Sequence, residues 1–168
     1  MKFFTSERVK KYGRAFFEGF YCVGTAAASA YVLWWFLPMW LAALIFSVVF
    51  VHEMGHYIAG LAQGVESWLP FFLPLVYALF GGTYTNTDDP NVRKWIDLAG
   101  PFAGILVAVV WAIVGFATGF TPLVWAALWQ VFFQLISGTI GSDGRKYWRH
   151  RRDAQAQEAG FFTATVPA

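Results

Sequence analysis

Four apolar stretches set the limits on what this chain can fold into: about Phe16 to Leu37, Met39 to Ala62, Trp95 to Thr118 and Leu123 to Ile140. Each comes close to or exceeds the roughly 20 residues a helix needs to cross the hydrocarbon core of a bilayer. Lipid offers no hydrogen-bonding partner, so backbone there must satisfy itself, and such stretches become helices. The composition agrees. Of 168 residues, 58% are hydrophobic and only 13% charged, about half the charge of a soluble domain. The expected fold is an all-α membrane protein, a bundle of about four transmembrane helices. Little chain remains for a sizeable extramembrane domain. Residues 1–15 read as a basic N-terminus, 16–144 as the membrane core and 145–168 as a basic, partly disordered tail.

The first span is too long for the apolar region of a cleaved signal and reads as a retained signal anchor. The single cysteine, Cys22, cannot form an internal disulfide or build a thiolate metal site alone, and reads as packing. Trp34, Trp35, Trp40 and Trp95 suit interface anchors and lipid-facing packing. Pro38 and the segment Gly119 to Pro122 mark tight turns.

The segment 63–94 differs from the spans. Trp68 to Phe80 is apolar but holds Pro70 and Pro74 and runs into Gly81-Gly82. It is too short and too broken to cross straight, and fits a re-entrant or short β-like segment between the second and third spans. Thr83-Tyr84-Thr85 alternates like a strand, and Asn86 to Asn91 reads as a polar turn containing Pro90.

All twelve Lys and Arg residues fall in the N-terminus, the 63–94 segment and the tail. Four crossings put those three segments on one side. The positive-inside rule makes that side cytoplasmic, with both termini there. An integral multi-pass protein of the plasma membrane is expected, with the lipid bilayer as its first partner. No nucleic-acid partner is expected.

Inside the second span lies His52-Glu53-Met54-Gly55-His56. Histidines at i and i+4 share one helix face, so two imidazoles can reach one metal ion. Glu53 can reach a water on the open side of that metal and act as general base. A satisfied polar pair is the bland alternative. It is weak here, because ionisable groups at membrane depth are costly and functional by default. His52 lies 13 residues beyond Met39, about 20 Å along the helix, in the cytoplasmic third.

A catalytic zinc site takes three protein ligands and keeps one position open. His150 has cationic neighbours in the tail, Glu66 lies too near the end of the second span, and Glu158 is far down the tail. Asp97 stands near the start of the third span. Asp143 is the best candidate: it ends the last apolar helix on the same side, and Gly144 allows a tight turn beside it. The bland alternative is a helix-terminal aspartate in a turn. The metal set is therefore His52, His56 and Asp143 for one Zn2+ ion, with Glu53 as the catalytic residue.

These motifs, in this order, resemble the site-2 protease family of intramembrane metalloproteases. His52 to His56, continuing to Gly64-Val65, is similar to that family's zinc helix. Gly81-Gly82 resembles its glycine-containing loop, Ala99-Gly100-Pro101 its Ala-Gly-Pro signature, and Asp143-Gly144 its Asp-Gly motif, whose aspartate is the third zinc ligand. The chain shows no PDZ domain, so the likeness is to a compact form. The resemblance implies a zinc-dependent endopeptidase that cuts in or near a transmembrane segment of a membrane-anchored protein substrate, with a regulatory membrane partner or an oligomer as further options. It also implies substrate contacts at Gly81, Gly82 and Gln134. Three positions depart from the family. Gly104 stands where it often has asparagine, and Gln134 and Ser137 are the nearest equivalents of the Asn and Pro that precede its Asp-Gly motif.

Three rival readings have recognisable signatures. A zinc-stabilised scaffold or adaptor would have no use for Glu53. A metal transporter would need ligands at several depths, and the sequence offers one cluster. A membrane zinc protease of the prenyl-protein type would need a downstream intramembrane glutamate, and none lies between Glu66 and Glu158.

Overall fold

The computed structural model describes residues 6–75 and 78–159, with side chains described at 14–73 and 81–159. Five helices and four short strands follow in the order α1 (Ser6–Phe36), α2 (Met39–Ala62), β1 (Glu66–Ser67), β2 (Phe71–Leu75), β3 (Ala78–Gly82), β4 (Thr85–Asn86), α3 (Pro90–Ala117), α4 (Thr121–Thr139) and α5 (Ser142–Glu158). Four helical stretches are long and apolar enough to cross a membrane, so the expected class of fold holds. Lys2 lies outside the described residues, as do the side chains of Arg8, Lys10 and Lys11 and the last nine residues of the tail.

Polarity is turned inside out relative to a soluble protein. Phe116, Phe16 and Trp35 are 83%, 77% and 74% exposed. The buried set includes His52, Glu53, His56, Asp97, Gln134 and Asp143. Such a surface suits hydrocarbon and such an interior suits a polar site at depth.

The helices are held by close approach as well as by side-chain filling. A methyl group on Gly55 of α2 would lie 2.6 Å from the Ala99 carbonyl of α3, so these backbones nearly touch, as small residues permit in membranes. The indole of Trp111 on α3 donates to Ser47 Oγ on α2 at 2.8 Å. Leu44, Leu123 and Ala127 fill a core between α2 and α4.

The broken segment folds as two small antiparallel pairs, β1 with β4 and β2 with β3. In the second pair Phe71 faces Gly82 and Phe72 faces Gly81. Phe72 is fully buried and stacks on Phe50 of α2 at 5.5 Å between ring centroids. Its N–H donates to Thr25 Oγ1 of α1 at 3.2 Å. The hairpin is thus wedged between α1 and α2. Arg14 of α1 pairs with Glu18 and Glu66 and lies over the Trp68 ring. This ties the start of the first span to the connection after the second. The Arg14 guanidinium holds the Glu66 carboxyl below its usual range.

One boundary differs from the sequence expectation in an instructive way. Pro90 belongs to α3 and not to a turn. Asp89 is its N-cap and accepts from the Asn91 N–H at 2.8 Å. An aspartate followed by proline at the first helical position is a start signal, so the helix opens several residues before Trp95. The basic residues 145–158, read from sequence only as tail, form most of α5, which packs along α3 and α4.

Candidate metal centre and active site

The regular turn of α2 places His52 and His56 on its inner face, 8% and 9% exposed. Each ring is fixed through its Nδ1. His56 Nδ1 donates to the Ile96 carbonyl of α3 at 2.6 Å. His52 Nδ1 donates to Gln134 Oε1 of α4 at 2.6 Å. Because both partners are carbonyl oxygens, both imidazoles carry their proton on Nδ1 and turn a bare Nε2 lone pair inward.

Those two Nε2 atoms are 3.2 Å apart. Asp143 Oδ2 reaches in from the first turn of α5, 3.3 Å from His52 Nε2 and 4.0 Å from His56 Nε2. With both rings neutral, three electron-pair donors converge. Tetrahedral zinc with nitrogen and oxygen ligands at about 2.0–2.2 Å separates neighbouring ligand atoms by roughly 3.3 Å. The spacing and donor types fit a divalent cation of that kind. Among the described residues this is the one cluster of three or more such groups.

The surroundings shape each ligand. Ser137 Oγ donates to Asp143 Oδ2 at 2.8 Å. A side chain on Gly100 would run into the His56 ring, so α3 must be bare there for the ring to stand upright. Glu53 is 8% exposed, and the Thr83 hydroxyl shares its proton between the Glu53 backbone carbonyl at 3.0 Å and Glu53 Oε2 at 3.1 Å. Gly81 lies flat against the Glu53 side chain, where any Cβ would collide.

A cavity of about 550 Å³ opens onto these groups. His52, Glu53, His56 and Asp143 line it, and so do Gly81, Gly82 and Gln134. The carbonyl of Gln134 is engaged by His52, which makes it a support for the ring. A Cβ on Gly104 would lie 2.7 Å from Gln134 Cδ. The glycine at 104 is thus what leaves Gln134 the room to reach His52. Such outer partners of a metal ligand commonly carry 10–100-fold in affinity. Gln134→Leu is expected to weaken zinc binding by about that factor, measured by competition with a chelator in detergent.

Sequence reasoning missed three groups here. Thr83 bonds Glu53. Ile96 offers only its backbone to His56, which no side-chain pattern could reveal. His150 sits on the cavity wall with its Nδ1 2.7 Å from Asp97 Oδ2. It stands apart from the ligand cluster, as its cationic neighbours suggested, yet it pins α5 to α3.

The apolar helical bundle thus brings two histidines, a carboxylate and a neighbouring glutamate together on one cavity. A model of peptidase family M50 matches residues 40–164, and the chain belongs to that family, the site-2 protease family its motifs resemble. It is 30% identical over 104 residues to EGY1, a chloroplastic protein of Arabidopsis thaliana named as a probable zinc metalloprotease. The match covers 60% of this chain and 19% of that relative. No solved structure matches the chain.

Proposed function

We propose that this protein is a zinc-dependent intramembrane endopeptidase that hydrolyses a peptide bond in or near a transmembrane segment of a membrane-anchored substrate. The observation that carries this reading is the convergence of His52, His56 and Asp143, with Glu53 on the same cavity wall. One Zn2+ ion held by those three residues would supply Lewis acidity, polarising the scissile carbonyl and making a water acidic enough to lose a proton near neutral pH.

The chain's own groups do the rest. Glu53 takes the proton from the attacking water and passes it to the leaving amine. Thr83 holds one Glu53 oxygen, which leaves the other to work. Gln134 and the Ile96 carbonyl keep both imidazoles in the tautomer that binds metal. A helical substrate hides its carbonyls in intrahelical bonds and must unwind locally. The free edge of β3, where Gly81 and Gly82 face the cavity, offers backbone for the unwound strand to pair with. Both termini lie in the cytoplasm, and the host is the plasma membrane.

The test is to compare membrane-derived peptides released by cells making the wild type or Glu53→Gln. Fragments ending within or beside a transmembrane segment, present only with the wild type, are the expected result. Identical fragment sets from both would overturn the proposal and favour a zinc-stabilised adaptor.

A further inference from the structure

The charged groups on the cavity wall are unequally satisfied. Its carboxylates all have partners: Glu53 with Thr83, Asp97 with His150, and Asp143 with Ser137 and the histidines. Its cations are Arg93, Lys146 and Arg149. Lys146 has Asp143 at 3.8 Å. For Arg93 and Arg149 the structure shows no acidic partner among the described residues.

The helix sorts these cations by face. Lys146, Arg149 and His150 follow Asp143 on the side of α5 that lines the cavity, at the spacing that stacks side chains one turn apart. Arg145, Arg151 and Arg152 do not line it, and Arg151 lies over the Trp148 ring at 5.2 Å. The outward group is exposed on α5. The inward group faces the space a polypeptide must enter to reach Glu53.

Resting on the endopeptidase reading, we propose that Arg93 and Arg149, with Lys146 beside them, receive an acidic side chain in the juxtamembrane segment of the substrate. The site thereby selects substrates carrying Asp or Glu where they leave the membrane beside the scissile bond. Most membrane proteins carry Lys or Arg at their cytoplasmic ends. A cationic mouth repels those and admits the exceptions, so it selects by exclusion as well as by attraction. Each partly exposed ion pair is worth about threefold, so two together give roughly a tenfold preference. Salt is expected to weaken it.

The experiment uses the full chain in neutral-lipid vesicles with three single-span substrates that differ only in four juxtamembrane residues: acidic, serine or lysine. Wild type is expected to cleave the acidic substrate about tenfold faster in kcat/KM than the serine one, and the lysine one most slowly. The double variant Arg93→Glu/Arg149→Glu is expected to reverse that order. Arg151→Glu/Arg152→Glu, on the outer face, is expected to keep it. Affinity of the three substrates for Glu53→Gln protein provides a readout that needs no turnover and is expected to show the same ranking. The neutral variant Arg93→Gln/Arg149→Gln is expected to flatten it, which guards against misfolding of the reversed protein. Equal cleavage and equal binding of all three would overturn this inference and leave the endopeptidase reading standing. No cleavage of any, with the binding order intact, would overturn the endopeptidase reading alone. Loss of the order when anionic lipid is added would assign the mouth to headgroups and overturn it too.

Discussion

Asp143→Ala is expected to strip the protein of zinc and abolish peptide cleavage, with the helical bundle intact. Asp143 contributes one of three converging ligand atoms, and among the described residues no other carboxylate joins the cluster. A structural zinc site with four ligands provides about 10–16 kcal/mol of apparent binding energy. One ligand's share is then about 3 kcal/mol, roughly a hundredfold in affinity. The true loss is expected to be larger, because Ser137 and Lys146 are left facing an empty corner. Zinc content after purification, with helicity by circular dichroism, measures both parts. Asp143 lies in the first turn of α5, which is pinned to α3 by the bond between His150 and Asp97. The helix therefore has an anchor of its own when the metal corner is lost.

Glu53→Gln separates binding from chemistry. The amide keeps the shape of the side chain and can still meet Thr83, but it cannot accept a proton. General base catalysis of this kind contributes about 10²–10⁴-fold. The variant is expected to lose that factor in kcat while zinc content and substrate affinity stay near wild type. Glutamine also avoids the collision with Gly81 that a bulkier or branched replacement would provoke. A substantial rise in KM with kcat preserved would instead mark Glu53 as a substrate-binding group.

How much of this could be read from the sequence depends on the range of each interaction. The spans, their turns and the i, i+4 histidines are local patterns, and the helices follow them closely. That Asp143 lies beside the two histidines was within reach because few acidic residues compete for that place and the helix end falls on the right side. The groups that orient the site are another matter. The bond from His52 to Gln134 spans 82 residues, and that from Asp97 to His150 spans 53. No periodicity carries such information; it appears only when α3, α4 and α5 pack. Gln134 was legible as a site residue, but as a substrate contact, whereas its carbonyl is held by a ligand ring. The exchange of asparagine for Gly104 looked like a departure from the family. In three dimensions the bare backbone at 104 admits the Gln134 side chain. The start of α3 is legible in Asp89-Pro90, but the same residues suit a turn, and only the packed helix decides between the two.

The most direct measurement is a zinc titration of metal-free protein in vesicles containing a single-span substrate. Cleavage is expected to be absent at first, to rise with added zinc and to level off at one equivalent, with the cut mapped by mass spectrometry to the membrane segment or its edge. Asp143→Ala is expected to show no such plateau. Cleavage that persists without zinc, or that continues unchanged in Glu53→Gln, would contradict the assignment of His52, His56, Asp143 and Glu53 to a proteolytic centre.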